Sequence, residues 1–105
     1  MKQIKGMNYK LHILVCVNKR EKEEGKICTP CCADVSGQEI YDQIKKFVKE
    51  NNLTGIVWVT RTRCLGFCNT VGTTIVIYPD KVWLKEVVLD DVPKLLQYIK
   101  ERIAL

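Results

Sequence analysis

The sequence predicts an α/β domain: a four-stranded mixed sheet in the chain order β-α-β-β-β-α, with helices packed on it. Three observations lead there. Four short runs combine apolar and β-branched residues, and two longer segments repeat their apolar residues at helical spacing. The connections are either long enough for a parallel crossover or so short that they force a hairpin.

The first run, Leu11-His12-Ile13-Leu14-Val15-Cys16-Val17, is nearly continuously apolar and suits a strand buried on both faces. From Ser36 onward Ile40, Tyr41, Ile44, Phe47 and Val48 make an apolar stripe opposite Gln38, Asp42, Lys45, Lys46 and Lys49, the mark of an amphipathic helix. Ser36 with Glu39 three residues later predicts a capping box at its start, and Asn51-Asn52 supplies a left-handed residue to end it. Gly55-Ile56-Val57-Trp58-Val59-Thr60 is the second strand, so strand, helix and strand form a parallel unit with the usual right-handed crossover. Thr73 to Tyr78 and Val82 to Val87 are two more strands, joined by Pro79-Asp80-Lys81 in an antiparallel hairpin. Val92, Leu95, Leu96, Ile99 and Ile103 define a closing helix, with Asp90 or Asp91 as its cap and Pro93 in its first turn. Asn18 to Pro30 is charged and aperiodic and reads as an exposed loop. With no internal repeat and no linker, residues 1–105 read as one domain, like a thioredoxin fold without its leading strand.

Composition narrows the function. In 105 residues, 47% are hydrophobic and 28% charged, which argues against intrinsic disorder. No apolar run approaches the roughly 20 residues of a membrane-spanning helix, and Met1-Lys2-Gln3-Ile4-Lys5-Gly6 leads into no secretory apolar core. A cytoplasmic setting is therefore expected. In that reducing compartment six cysteines point to metal binding or redox chemistry before structural bridging.

Cys16 ends the first strand, Cys28, Cys31 and Cys32 precede the first helix, and Cys64 and Cys68 lie between the second and third strands. In a βαβ unit these positions meet at one edge of the sheet. Four thiolates there make an iron-sulfur or a zinc site. Two other readings stand beside this one. A lone buried cysteine such as Cys16 is commonly a small hydrophobe, and Cys28-Thr29-Pro30-Cys31 is the dithiol spacing of thioredoxin-like oxidoreductases. Such oxidoreductases share a cis-proline just before the strand that enters the hairpin. Here Asn69-Thr70-Val71-Gly72-Thr73 holds no proline.

The segments His12 to Asn18, Cys32-Ala33 at the approach to a helix, Thr60-Arg61-Thr62-Arg63-Cys64-Leu65-Gly66-Phe67-Cys68 and Val76-Ile77-Tyr78-Pro79-Asp80-Lys81-Val82-Trp83 together resemble the thioredoxin-like 2Fe-2S ferredoxins. The resemblance runs from about His12 to Ile99. It implies a single 2Fe-2S cluster, a homodimer and one-electron transfer to a redox partner protein, so an electron carrier and not an enzyme. Carried over by position, it makes Cys16 the first ligand, Cys64 and Cys68 the third and fourth, and Cys32 the second, with Cys28 and Cys31 as alternatives for that place. The chain departs from the family pattern at Ser36, where glycine is usual, at Gly72-Thr73, where Gly-Pro is common, and at Lys81, where the turn has glycine.

The charge is uneven. Up to Lys26 there are seven basic and three acidic residues, which accounts for four of the net five positive charges. The acidic residues interleave, no aromatic residues do, and no groove-binding motif is present, so nucleic acid is not expected as a partner. Steering toward an acidic protein is the better reading, with a solvated loop as the plain one. Arg61 and Arg63 flank Cys64 and either favour reduction of a cluster or solvate a strand end. Gly66 and Phe67 are candidates to approach and shield the cluster, Phe67 equally a core residue. His12 reads as packed and not as a ligand, and Trp58 and Trp83 as core or dimer-interface residues.

Overall fold

The structure, a computed structural model, describes residues 1–6, 8–17, 36–63, 65 and 72–104. Its elements follow the predicted chain order: β1 (Leu11–Cys16), α1 (Gly37–Glu50), β2 (Val57–Thr62), β3 (Thr73–Tyr78), β4 (Val82–Val87), a 3₁₀ turn (Leu89–Asp91) and α2 (Val92–Ile103). The strands lie in the order β2-β1-β3-β4. β1 pairs parallel with β2, from Leu11↔Val57 to Cys16↔Thr62, and antiparallel with β3, from His12↔Tyr78 to Val15↔Ile75. β4 closes the sheet antiparallel to β3.

Strand alternation divides the side chains between two faces. Leu11, Ile13 and Val15 of β1, Val57 and Val59 of β2, and Ile75 and Ile77 of β3 point to one face. There they join Ile40, Ile44 and Val48 of α1 and Val92, Leu95 and Ile99 of α2 in one core. Each such aliphatic side chain contributes about 1.5–3 kcal/mol on leaving water. Lys100 extends the packing between the helices by placing its Nζ 5.7 Å from the centre of the Phe47 ring.

The other face is not covered by a helix among the described residues. It carries Trp58 and Trp83, 41% and 49% exposed, so neither is a core residue. His12 and Leu14 are half-buried there, and β1 is fully buried only on its helix side and at its end. Alternation is visible in the exposure of β1, although its sequence alone reads as continuously apolar.

Two predicted boundaries shift. β2 begins at Val57 and not at Gly55, because Ile56 and Val57 both donate to the Leu53 carbonyl at 2.8 Å and wind the approach into a turn. It runs on through Arg61 and Thr62, which pairing with Val15 and Cys16 holds in the ladder. Asn52, at φ 56°, is the left-handed residue expected after α1. The capping box is absent: Ser36 has φ 70° and its side chain makes no capping hydrogen bond. A serine cap works from an extended backbone, and the left-handed conformation removes that geometry. Asp91 also acts differently from a simple cap, since its carboxylate accepts from the Val88 backbone N–H at 2.9 Å and fastens the 3₁₀ turn ahead of α2.

In the β3–β4 hairpin the register shifts between Thr73 and Ile75, and Glu86 takes φ 58°. One extra residue in β4 makes a bulge there. The bulge brings the backbone of Glu86 and Val87 so close to Gly72 that a Cβ at this position would overlap both. At the other end of the hairpin Lys81 takes φ 58°, the left-handed position in the turn.

Candidate metal centre at one edge of the sheet

Parallel pairing carries β1 and β2 to the same edge of the sheet. Cys16 lies opposite Thr62, and the ladder continues one residue further, with the Val17 N–H donating to the Thr62 carbonyl at 2.9 Å. Cys64 follows Thr62 by two residues in the chain. α1 starts at this edge as well, because Arg61 near the end of β2 lies over the ring of Tyr41 in the first part of α1, 5.3 Å from its centre. β3 starts here too, since the Thr73 hydroxyl donates to the Cys16 carbonyl at 2.6 Å.

Cys16 is fully buried. Cys32, Cys64 and Cys68, and the alternatives Cys28 and Cys31, lie outside the described residues, as do Gly66 and Phe67. Four described positions therefore frame the edge: the end of β1 at Cys16, the end of β2 at Thr62, the start of α1 and the start of β3. The chain segments that carry the other five cysteines leave or enter at all four of them, one running from β1 to α1 and the other from β2 to β3. Among the described residues no three His, Cys, Asp or Glu side chains gather to hold a metal ion. The donor chemistry at this edge is that of thiolates, which fits a 2Fe-2S cluster or zinc and not a hard oxygen-liganded cation.

The described surroundings of the edge are polar and carry the positive charges of Arg61 and Arg63. Arg61 is drawn onto Tyr41 and Arg63 is exposed, so of the two arginines beside Cys64 the first packs across to α1 as well as meeting solvent. Thr62 closes the strand with its hydroxyl donating to the Arg63 carbonyl at 2.9 Å. On the uncovered face of the sheet, His12 Nε2 meets the Thr60 hydroxyl at 2.7 Å, and Tyr9 and Trp58 pack on its ring at centroid distances of 5.7 and 6.1 Å. Partial burial lowers the His12 pKa from its ordinary value. The histidine is packed, as its place in an apolar strand suggests.

Two groups escape a reading of the sequence. Thr73 stands in the sequence only as a β-branched residue opening a strand, and its bond to Cys16 spans 57 positions. Asp80, in the hairpin turn, accepts from Tyr98 and Arg102 of α2. Nothing in the local pattern of either segment signals the other.

No protein-family model matches the chain. Two curated relatives do. One, named "Ferredoxin, 2Fe-2S", is from Clostridium pasteurianum and is 31% identical over 93 residues, 87% of this chain and 85% of the relative. A second of the same name, from Aquifex aeolicus, is 28% identical over 87 residues, 82% of this chain and 75% of the relative. Among solved structures, the wild-type thioredoxin-like [2Fe-2S] ferredoxin from Aquifex aeolicus superposes with a TM-score of 0.70 at 25% identity, covering 90% of this chain and 86% of that one. Another structure of a thioredoxin-like [2Fe-2S] ferredoxin from Aquifex aeolicus gives 0.68 at 27% identity, covering 86% and 78%.

Proposed function

The chain belongs to the thioredoxin-like 2Fe-2S ferredoxins, electron carriers with a [2Fe-2S] cluster, and from that premise we propose that Cys16, Cys32, Cys64 and Cys68 are the four thiolates that hold it. The observation that carries the assignment is the β1–β2 ladder, which ends with Cys16 opposite Thr62, two residues ahead of Cys64. A 2Fe-2S cluster supplies a one-electron couple when bound. The protein's part is to hold the ligands still and set the local field. Cys16 sits in a strand hydrogen-bonded on both sides, which limits movement of that ligand when the charge changes. Arg61 and Arg63 bring positive charge to the strand that leads into Cys64 and favour the reduced state.

The chain acts as a carrier between redox partner proteins and not as an enzyme with its own substrate. It works as one domain, residues 1–105, in the cytoplasm, with an acidic protein surface as the partner favoured by the basic segment up to Lys26. It pairs as a homodimer through the uncovered sheet face, where Trp58, Tyr78 and Trp83 are exposed. Large aromatic side chains on one open face are the usual anchors of such an interface.

Anaerobic purification with a visible spectrum and an iron and sulfide assay tests the reading. A brown protein with about two irons and two sulfides per chain is expected for the four-thiolate cluster. Colourless protein with stoichiometric zinc overturns it. Colourless metal-free protein that reduces insulin disulfides replaces it with a dithiol oxidoreductase using Cys28 and Cys31. For the second ligand, Cys32→Ser should lose more cluster than Cys28→Ser or Cys31→Ser; an unchanged spectrum in Cys32→Ser moves the ligand to one of the other two.

A further inference from the structure

We propose that Thr73 is a positioning residue for the cluster ligand Cys16, its hydroxyl holding the ligand's own peptide carbonyl and thereby tuning the potential at which the cluster takes an electron. The proposal rests on the assignment of Cys16 as a ligand.

Thr73 and Cys16 are both completely buried, and the hydroxyl donates to the carbonyl at 2.6 Å. The Val17 N–H bonds to β2, and in a strand the neighbouring residue's groups point the opposite way, so the Cys16 carbonyl is directed to the β3 side. The last Cα pair of the β1–β3 ladder is Val15↔Ile75, one residue short of Cys16. Beyond that pair the Thr73 hydroxyl donates to the carbonyl. Its position is fixed from behind: Thr73 pairs with Val87, and Gly72 is pressed against the β4 bulge, where a Cβ would not fit. The hydroxyl is thus delivered by three strands, β1, β3 and β4, and not by a loop.

Hydrogen bonds around a cluster and its ligands set its reduction potential. A donated hydroxyl places the positive end of its dipole against the Cys16 carbonyl oxygen and offsets the negative charge there. Reduction adds one negative charge nearby. Without the hydroxyl, the positive end of that dipole is lost beside the added charge, and the potential falls.

The test uses the full-length holoprotein and compares midpoint potentials by protein-film voltammetry, with iron and sulfide content measured for each variant. Thr73→Val keeps the shape and removes the hydroxyl; Thr73→Ser keeps the hydroxyl. The expected result is a more negative potential in Thr73→Val at full cluster content, with Thr73→Ser at the wild-type value. Coincident potentials in Thr73→Val and wild type overturn the proposal. Should Thr73→Val fail to assemble a cluster, Thr73→Ala is read against Thr73→Ser, which differs from it by the hydroxyl alone: a more negative potential in Thr73→Ala supports the proposal and equal potentials overturn it. Loss of the cluster in both Thr73→Val and Thr73→Ala means that the hydroxyl acts only through folding, which also overturns it. Cys16→Ser separates this outcome from failure of the ligand assignment: a wild-type spectrum and potential in Cys16→Ser show that Cys16 is no ligand, whatever Thr73 does.

Discussion

Arg102 of α2 holds Asp80 of the β3–β4 turn with two nitrogens, Nε donating to Oδ2 at 2.7 Å and Nη2 to Oδ1 at 2.6 Å. The Tyr98 hydroxyl donates to Oδ2 as well. The planar guanidinium matches the carboxylate fork, and the three side chains tie the tip of the hairpin to the last turns of the closing helix. The hydrogen bonds from Arg102 and then Tyr98 hold the Asp80 pKa down at about 2. Tyr98 responds in the opposite direction, its pKa raised by burial and by the bond to Asp80.

A carboxyl whose folded pKa lies below its unfolded value contributes stability that is complete above the unfolded value, near 3.8, and is lost as pH falls toward about 2. Asp80→Asn should therefore lower the melting temperature modestly at neutral pH, and the difference from wild type should shrink through that window. Melting curves by circular dichroism at a series of pH values check it. A difference that stays constant down to the acid end would show that the carboxylate charge contributes nothing.

Ser36 adopts a left-handed conformation at φ 70° without a capping bond in return. A non-glycine residue held there costs roughly 1–2 kcal/mol, offset in part by the greater freedom glycine has when unfolded. Ser36→Gly should stabilise the fold by about 0.5–1 kcal/mol, and Ser36→Val should destabilise it. Urea unfolding followed at 222 nm measures both.

Gly72 faces the backbone of Glu86 and Val87 with no room for a methyl group. Gly72→Ala must push β3 away from the β4 bulge, at a cost of about 1–3 kcal/mol for overpacking. The same displacement pulls Thr73 from the Cys16 carbonyl. Lower thermal stability together with a changed visible spectrum is the expected pair of results.

Trp58, stacked against Tyr9 at 5.6 Å, lies on the uncovered sheet face together with Trp83. Trp58→Glu combined with Trp83→Glu places charges on the surface proposed for self-association. The double variant should sediment as a monomer while retaining the wild-type cluster spectrum. A dimer of unchanged stability would move the interface elsewhere.

Periodicity carried the fold a long way. The predicted limits of the third and fourth strands, Thr73 to Tyr78 and Val82 to Val87, coincide with those observed, and the helix stripes of Ile40, Ile44 and Val48 and of Val92, Leu95 and Ile99 are the buried ones. These patterns are local: a residue's neighbours two or four positions away already determine which side of a strand or helix it occupies. The family pattern around Cys16, Cys32, Cys64 and Cys68 was likewise legible as residue order, and the pairing of Cys16 with Thr62 gives Cys16 its place in the fold.

Tertiary structure decided what no local pattern contains. It set Ser36 in a left-handed conformation where the sequence reads as a capping box, carried β2 on through the polar pair Arg61 and Thr62, exposed Trp58 and Trp83, and joined Thr73 to Cys16 and Asp80 to Arg102. Each of these depends on the register between strands or on the crossing of a helix over a turn. A shift of one residue would send the side chains to the other face, so the partners of a hydroxyl or a carboxylate are fixed only when the whole sheet has assembled.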